Sequence, residues 1–298
     1  MTQQFRSAPA ALNVLVVGAT GSVGTLVLAE ALRQGYSVRA LVRTTPRAGM
    51  LPKQAQCFIG DLTRADTLSD AVDGIDAVAF THGANGGKSE AERVDYGGVR
   101  NIVAAMRASA ANGTRIPRIA LMTAIGVTNR QGAYNRATEI HDWKRRGERL
   151  LRASGLPYTI VRPGWFDYNA QDQQRLLTLQ GDKRQAGDPS DGVVSRRQIA
   201  QVLVASFTSD AALGKTFELV AEHGAATTNL EVMFAALAAD EPGSLDGVWD
   251  AGNMPLTGEP ASVRNDLQTL TAAADARGGQ AHAKLQHAAA MTVPRNLQ

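Results

Sequence analysis

Three glycines in the stretch VLVVGATGSVG have the spacing of a phosphate-binding turn. Gly18, Gly21 and Gly24 follow a β-branched apolar run and precede residues with helical spacing. In that context glycines let the backbone turn sharply and approach a pyrophosphate, and the helix N-terminus supplies free N–H groups and partial positive charge. We therefore predict that this loop binds a dinucleotide, through Gly18, Thr20, Gly21, Ser22, Val23 and Gly24.

The charge at the end of the second strand bears on which dinucleotide is bound. An acidic residue about 20 residues after the glycines would bind the ribose 2′-hydroxyl of NAD. This sequence has Arg43 there, with Arg39 predicted on the same strand face and Arg47 just beyond. A guanidinium can hold a 2′-phosphate through paired charged hydrogen bonds. NADP(H) is therefore favoured over NAD(H); the alternative is that Arg43 is only a surface arginine.

Two later strand ends are predicted to contact the same ligand. In GDL, which contains Asp61 and Leu62, a carboxylate closes the third strand and can accept a hydrogen bond from the adenine amino group. In THGA, small residues around Thr81, His82 and Gly83 would let the backbone pass close to the nicotinamide ribose. Asp and Gly are also common in ordinary strand-end turns. We interpret His82 as a polar edge residue rather than a catalyst.

Strands alternate with helices through the first half of the chain. Apolar, β-branched runs predict strands at residues 13–17, 36–42, 56–59, 77–80, 118–122 and 158–161. Helical spacing predicts helices at residues 25–34, 65–72, 94–108 and 139–153. This alternation implies an α/β protein of the Rossmann type, a doubly wound parallel sheet with both faces covered by helices.

The pattern loosens after Pro163. Residues 168–190 are predicted to form a loop or short helix over the cleft, 197–207 a helix, 216–220 a strand and 230–239 a helix. We expect one domain over residues 1–298, with a dinucleotide-binding core at 11–163 and a helical or disordered tail at 261–298. Residues 164–260 would then supply a small variable substrate-binding part, mixed with the last core helix and strand.

Composition narrows the classes of partner. The net charge is +3, but the 31 basic residues are scattered among 28 acidic ones, and aromatic residues make up 5%, so nucleic-acid binding is not expected. The densest basic cluster, KRRGERLLR, is interpreted as a solvated helix face. No run of about 18 apolar residues suggests a membrane span, and the N-terminus does not resemble a signal peptide. With Cys57 as the single cysteine, a reducing cytoplasm is the expected compartment. The five histidines show no metal-ligand spacing.

Taken together, these motifs resemble the atypical branch of the short-chain dehydrogenase/reductase superfamily, which includes NmrA-like proteins and the flavin reductase/biliverdin reductase B type. The resemblance covers roughly residues 12–220 and rests on GATGSVG, ALVR, GDL, VDYGGVRNIVAAM, IALMTAIGV, WKRRGERLLRASGLPYTIVRPGW and SRRQIAQVL. It implies that Pro163 and Gly164 place backbone against the nicotinamide. It also implies that Thr123 occupies the position of the active-site serine.

The sequence departs from the superfamily at the position of the usual proton donor. In that superfamily a tyrosine lies four residues before a lysine, where it donates a proton while the lysine lowers its pKa and holds the ribose. Here Lys144 is present, but Ile140 occupies the tyrosine position. Because Lys144 shares a mostly apolar helical stripe with Ile140, Gly147 and Leu151, we predict that it faces inward, towards the cofactor ribose. The alternative is a surface lysine whose charged end reaches solvent.

Hydride transfer to a conjugated ring does not require the tyrosine, because the ring spreads the charge and water can supply the proton. We therefore expect an NADPH-dependent oxidoreductase that reduces a small molecule: a flavin, a quinone or a conjugated carbonyl. In this interpretation Thr123 and Lys144 are the catalytic residues: Thr123 donates a hydrogen bond to the substrate carbonyl, and Lys144 fixes the ribose. The sequence is compatible with a monomer or a homodimer.

Two other functions remain open. A non-catalytic NADP(H) sensor of the NmrA-like kind is favoured by the missing tyrosine. An exposed apolar surface around Val232, Phe234, Leu237 and Trp249 would favour it further, although such residues more often complete a core. A sugar-nucleotide epimerase or dehydratase is disfavoured, because that chemistry oxidises a hydroxyl and needs the missing base.

Overall fold

A mostly parallel sheet forms the centre of the protein, as predicted. The computed structural model describes residues 11–49, 51–111 and 115–291. Within them the sheet strands are β1 (Asn13–Val17), β2 (Ser37–Val42), β3 (Gln56–Ile59), β4 (Ala77–Phe80), β5 (Arg118–Met122), β6 (Tyr158–Pro163), β7 (Trp165–Phe166), β8 (Arg175–Leu179), β9 (Val193–Val194) and β10 (Lys215–Glu222). They run in the order β3-β2-β1-β4-β5-β6-β10-β9-β7, and β8 pairs with β10.

The order of the strands reverses between β1 and β4. Strands β2 and β4 both pair with β1 in parallel. Val14 of β1 lies opposite Val38 of β2 on one side and opposite Ala77 of β4 on the other. In an open α/β sheet the crevice outside the carboxyl ends of the strands at such a reversal is where ligands bind. The Rossmann-type fold is therefore confirmed, and it places the glycine loop at this crevice.

Helices cover both faces of the sheet. They are α1 (Gly24–Arg33), α2 (Thr45–Ala48), α3 (Ser69–Val72), α4 (Lys88–Ala91), α5 (Gly97–Ala111), α6 (Ala133–Thr138), α7 (Ile140–Ala153), α8 (Arg196–Ala205), α9 (Leu230–Ala235) and α10 (Ala261–Met291). A π-helical stretch, Glu92–Tyr96, joins α4 to α5. Among the described residues no helix combines the length and the apolar character needed to cross a membrane.

The core divides into two apolar layers, one on each face of the sheet. Side chains of a strand alternate between faces, so Val14 and Val16 belong to the layer with α1 and α8, while Leu15 and Val17 belong to the layer with α5 and α7. All four are fully buried. This burial on both faces explains why β1 appears in the sequence as an uninterrupted apolar run.

The region after Pro163 is more regular than predicted. The expected loop or short helix at residues 168–190 contains the strand β8, whose residues 175–179 pair antiparallel with β10. The pairing partner lies about 40 residues later in the chain, so no local hairpin signal marks the strand. Two predictions concern residues outside the described ranges. They are the character of the N-terminus, residues 1–10, and the end of the predicted tail, residues 292–298.

The basic cluster in α7 is not a solvated face; that interpretation is wrong. Arg145 is fully buried and Arg149 is 3% exposed. Both bind Asp246, at 3.0 Å and 2.7 Å, and Arg146 donates to Glu259 at 2.5 Å. Buried charges need such partners. The acidic partners lie about 100 residues later, beyond the reach of any helical spacing rule.

Candidate functional site

The backbone of the glycine loop packs so closely that a side chain would not fit at Gly18 or Gly24. Gly18 has φ +85°, and a Cβ there would lie 2.7 Å from the backbone nitrogen of His82. A Cβ on Gly24 would lie 2.0 Å from the carbonyl oxygen of Gly18. The amide of Gly21 closes the turn by donating to that same oxygen at 2.8 Å. The loop therefore has the close backbone packing that a pyrophosphate-binding turn requires.

The loop also leaves donors free for an anion. Within the described residues, the backbone amides of Ser22 and Val23 make no hydrogen bond, and α1 begins immediately after them at Gly24. The first turn of α1 contains no acidic residue. Free N–H groups together with the positive end of the helix fit the pyrophosphate of a dinucleotide.

Two arginines follow β2, where the sequence predicts binding of the ribose 2′-phosphate. Arg43 follows β2 with an exposed side chain. The Nη1 atom of Arg47 lies 3.5 Å from Oγ1 of Thr20 in the glycine loop. Arg39, however, is not part of this group: its Nη1 donates to the backbone oxygen of Asp73, and its guanidinium lies over the ring of Phe58. Four residues of strand separate it from Arg43 by about 13 Å.

At the end of β3, Asp61 is held in a fixed orientation. Its Oδ1 accepts hydrogen bonds from the amide and the hydroxyl of Thr63, at 2.8 Å and 2.9 Å. The hydrogen bond from the Thr63 amide lowers the pKa of Asp61, against a smaller opposing effect of burial. Its Oδ2 has no donor among the described residues and can accept from an adenine amino group. The carbonyl of Leu62 accepts from Asn101 at 2.6 Å, which fixes the loop behind it.

At the end of β4, Thr81 and His82 support the site from behind. The hydroxyl of Thr81 donates to the carbonyl of Val17 at 2.9 Å. Nε2 of His82 is 3.0 Å from the carbonyl of Val94. Burial lowers the pKa of His82 to about 4, against the opposing charge of Asp95, so the ring is neutral. Neither side chain is free to act as an acid.

Lys144 faces inward, as predicted, but not as a lone cation. Its Nζ donates to Oδ1 of Asp95 at 2.7 Å, and the Lys144 side chain is only 14% exposed. Oδ2 of Asp95 accepts from the amide of Ala84 at 3.2 Å. A Cβ on Gly83 would lie 3.6 Å from Nζ, so the pair directly adjoins the loop predicted to pass the nicotinamide ribose.

Thr123 is directed away from any substrate. Its hydroxyl is buried and donates to Oε1 of Glu148 at 2.7 Å. Glu148 is in turn bound by Arg162 at 2.7 Å. Burial alone would raise the pKa of Glu148, but the charge of Arg162 and its hydrogen bonds lower it to about 2. The predicted hydrogen bond from Thr123 to a substrate carbonyl does not match this geometry, because the proton is already committed to a carboxylate.

A cavity of about 640 Å³ opens at the carboxyl ends of β5 and β6. Pro163 and Gly164, which are predicted to contact the nicotinamide, lie in its wall. A Cβ on Gly164 would lie 2.4 Å from the carbonyl oxygen of Gly192, which explains the glycine. The cavity is also lined by four aromatic side chains, from Tyr134, Trp165, Phe166 and Tyr168.

The sequence alone did not point to these aromatic residues or to His141, which also lines the cavity. The rings of Tyr134 and His141 meet edge to face at 5.1 Å between centroids. Burial lowers the pKa of His141, so its ring is neutral near pH 7. Only one signal was available in the sequence: His141 lies three residues before Lys144, a spacing that places two side chains on the same side of a helix.

Comparison with known proteins shows the family to which this chain belongs. Residues 18–210 match the NAD(P)H-binding family, so the chain belongs to that family and binds a nicotinamide dinucleotide. The chain is 27% identical to sanguinarine reductase of Eschscholzia californica, over 75% of this chain and 95% of that protein. It is 29% identical to the chloroplastic protein TIC 62 of Pisum sativum over 77% of this chain. The match spans less than half of the TIC 62 proteins, 46% of the one from Pisum sativum and 44% of the one from Arabidopsis thaliana.

Among solved structures, anaerobilin reductase ChuY of Escherichia coli O157:H7 has the same fold. The TM-score is 0.55 at 21% identity, over 72% of this chain and all of that one. The predicted resemblance to the atypical short-chain dehydrogenase/reductase branch is confirmed by the family match and by these relatives.

Proposed function

We propose that the protein is an NADPH-dependent oxidoreductase that reduces a planar conjugated acceptor: a flavin, a quinone or a conjugated carbonyl. The aromatic lining of the cavity carries this proposal. The chain has only 3 Trp, 5 Tyr and 7 Phe, yet four of these side chains meet at one cavity beside Pro163 and Gly164. Aromatic faces stack on flat rings, and the volume is that of a small-molecule site.

Two of the similar proteins are named as reductases, of sanguinarine and of anaerobilin. Their names support a reductive reaction for this chain.

The residues of the chain would mainly orient the reactants. Bound NADPH would supply the hydride. The glycine loop would bind the pyrophosphate, the Lys144–Asp95 pair would bind the ribose through its remaining donors, and the aromatic side chains would hold the acceptor flat against Pro163 and Gly164. A conjugated acceptor spreads the incoming charge over its rings, so orientation supplies most of the catalysis and water can deliver the proton. This explains how the reaction proceeds with Ile140 in the tyrosine position.

The preference for NADPH rests on Arg43 and Arg47. Arg43 directly follows β2, where an NAD-specific protein carries an acid, and Arg47 of α2 reaches Thr20 of the glycine loop at 3.5 Å. Arg43 donates no hydrogen bond to a described residue, so its planar group can bind a 2′-phosphate.

The test is a titration of the purified protein with NADPH and with NADH, followed by cofactor fluorescence, and then oxidation of the bound cofactor by FMN, a simple quinone or a plain ketone. We expect NADPH to bind more tightly, and FMN or the quinone to oxidise it faster than the ketone. Arg43→Gln should weaken NADPH binding about tenfold and leave NADH binding unchanged, since NADH has no phosphate for Arg43 to hold. Tighter binding of NADH than of NADPH would contradict the role of Arg43.

A non-catalytic redox sensor is the second candidate, and one observation favours it. Val232 and Trp249 are 64% and 63% exposed, whereas Phe234 and Leu237, the other two residues of the predicted apolar surface, are buried. Exposed apolar side chains of this size can contact a protein partner. Tight NADPH binding without oxidation by FMN, quinone or ketone would favour the sensor over the reductase.

A further inference from the structure

A second cationic group reaches the glycine loop, from a distant part of the chain. Arg196 is the first residue of α8, and its Nε donates to Oγ of Ser22 at 3.0 Å. The contact joins positions 174 residues apart. It places a guanidinium beside the loop whose Ser22 and Val23 amides are free to bind a phosphate.

The Arg196 side chain is held in place by its neighbours. The carboxylate of Asp167 accepts from the backbone amide of Arg196 at 2.9 Å and also binds its Nη1. The guanidinium carbon lies 5.1 Å from the centre of the Phe166 ring. Within the described part of the chain, Nη2 has no acceptor. Two nitrogens are therefore fixed and a third is available, in a planar group already oriented for a phosphate oxygen.

The helix that carries Arg196 does not need this side chain for its own capping. Ser195 and Gln198 form a capping box, in which the Ser195 hydroxyl accepts from the Gln198 amide at 3.2 Å and Gln198 binds back to the amide of Ser195. The next residue, Arg197, is exposed, and its charge helps to lower the pKa of Glu30 in α1. Arg196 and Arg197 are thus the same type of residue, but Arg196 is the one that contacts the glycine loop.

We infer that Arg196 is a cofactor-binding residue whose guanidinium binds the pyrophosphate of the nicotinamide dinucleotide, opposite the amides of Ser22 and Val23. The pyrophosphate carries two negative charges, and the loop itself offers only neutral donors. Arg43 and Arg47 lie at the end of the ligand that carries the 2′-phosphate, so Arg196 supplies the matching charge at the centre. The inference rests on the nicotinamide-binding part of the proposed function and is independent of which acceptor is reduced.

The experiment compares Arg196→Gln with the matched control Arg197→Gln. Dissociation constants are measured by fluorescence for NADPH, and by competition for adenosine 2′-monophosphate, which carries the 2′-phosphate but no pyrophosphate. We expect Arg196→Gln to weaken NADPH binding about 10- to 100-fold, the loss of a charged hydrogen bond, and to leave adenosine 2′-monophosphate unchanged. Arg197→Gln should change both constants less than about twofold, as is usual for an exposed charge.

Each other result is decisive. Equal NADPH affinity in the two variants would overturn the role of Arg196. Equal weakening of NADPH and of adenosine 2′-monophosphate by Arg196→Gln would overturn it as well, because the damage would then not concern the pyrophosphate. If the unaltered protein binds neither NADPH nor NADH, cofactor binding itself fails, and with it both the proposed function and this inference. Tight binding without oxidation of NADPH by any acceptor would leave the inference standing and refute only the reductase.

Discussion

Lys144 contributes to the site as half of a buried ion pair. The Lys144 ammonium has three donors, and Oδ1 of Asp95 takes one of them at 2.7 Å. A lysine that activates a tyrosine needs a phenol next to it, and the position one turn earlier holds Ile140. The remaining donors can still bind ribose hydroxyls. At the scale of single residues, the geometry supports binding of the cofactor rather than proton transfer.

We therefore expect Lys144→Met to act on cofactor affinity. The substitution removes the ribose donors and should raise the dissociation constant of NADPH about tenfold or more. It also leaves Asp95 as a buried charge without its cation, which destabilises the fold. The double variant Lys144→Met/Asp95→Asn separates the two effects, since it removes both charges. Urea unfolding should show the double variant closer to the unaltered protein, while its NADPH affinity stays low.

Lys88→Met is the control for this prediction, because the Lys88 side chain is 56% exposed and pairs with Glu139, whose side chain is 37% exposed. It should change neither the affinity nor the stability appreciably. Unchanged NADPH affinity in Lys144→Met would mean that Lys144 has a structural role alone.

The inward orientation of Lys144 could be predicted because the apolar stripe around it is local and periodic. Thr123 shows the limit of the same approach. Its position at the end of β5 could be predicted, but its hydrogen-bond partner Glu148 lies 25 residues later on another element. Sequence spacing places a residue on a strand end; it does not fix which neighbour its hydroxyl meets.

At the scale of elements, the orientation of the first turn of α7 explains the missing tyrosine. Ile140 is the first residue of the helix and is 7% exposed, packed in the core layer with α5. The next residue, His141, lines the aromatic cavity instead. The position that corresponds to the tyrosine therefore points into the apolar core, and a phenol there would not reach a substrate.

Because Ile140 faces the core, we predict that Ile140→Tyr does not create a ketone reductase. The larger side chain should overpack the core and lower the free energy of unfolding by about 1–3 kcal/mol. Ile140→Leu, which keeps the volume, should cost less than about 1.5 kcal/mol. Urea unfolding and NADPH-dependent ketone reduction measure the two quantities. A gain of ketone turnover in the tyrosine variant would show that position 140 reaches the cleft after all.

Elements with a local signal were predictable, and those without one were not. The strand β1 is a run of buried Val and Leu followed by glycines, which periodicity detects directly. The strand β8, RLLTL, is as short but less apolar, and it is recognised by its pairing with the antiparallel strand β10. The aromatic cavity is assembled from α6, β7 and the loop after β7, so its composition becomes visible only once the chain is folded.

At the scale of the whole molecule, a buried network of charges joins the Rossmann core to the segment after β10. Arg162 on β6 is fully buried and binds three carboxylates: Glu148 of α7 at 2.7 Å, Glu218 of β10 at 3.2 Å and Asp250 at 2.7 Å. These acids come from widely separated parts of the chain. One guanidinium therefore ties a helix, two neighbouring strands and the C-terminal segment together.

Arg162→Met should consequently destabilise the whole protein. It removes the cation that binds Glu148, Glu218 and Asp250, and Glu148 keeps only the more distant Arg152, at 3.4 Å, among the described residues. Breaking a buried pair in this way costs about 3–5 kcal/mol. Arg175→Met is the matched control: Arg175 of β8 is 59% exposed and pairs with Glu222 of the neighbouring strand β10, so its loss should cost less than about 1 kcal/mol. Urea unfolding at pH 7 compares the two variants. A cost below 1 kcal/mol for Arg162→Met would mean that the network adds no net stability.

The pH dependence of the free energy of unfolding shows why Arg162→Met is less stable than the unaltered protein. In the unaltered protein the pKa of Glu148 is about 2, below its unfolded value, so its contribution to stability is present at neutral pH and is lost as the pH falls through the folded pKa. Without Arg162, the pKa of Glu148 should rise, because burial is then opposed only by the charge of Arg152 and the hydrogen bond from Thr123. The pKa of Glu218, which burial already raises to about 7, should rise further, so that folding of the variant takes up more protons than folding of the unaltered protein. The stability of Arg162→Met relative to the unaltered protein should then improve as the pH is lowered from 7 to 5. A difference that stays constant over this range would point to lost packing rather than to unpaired charge.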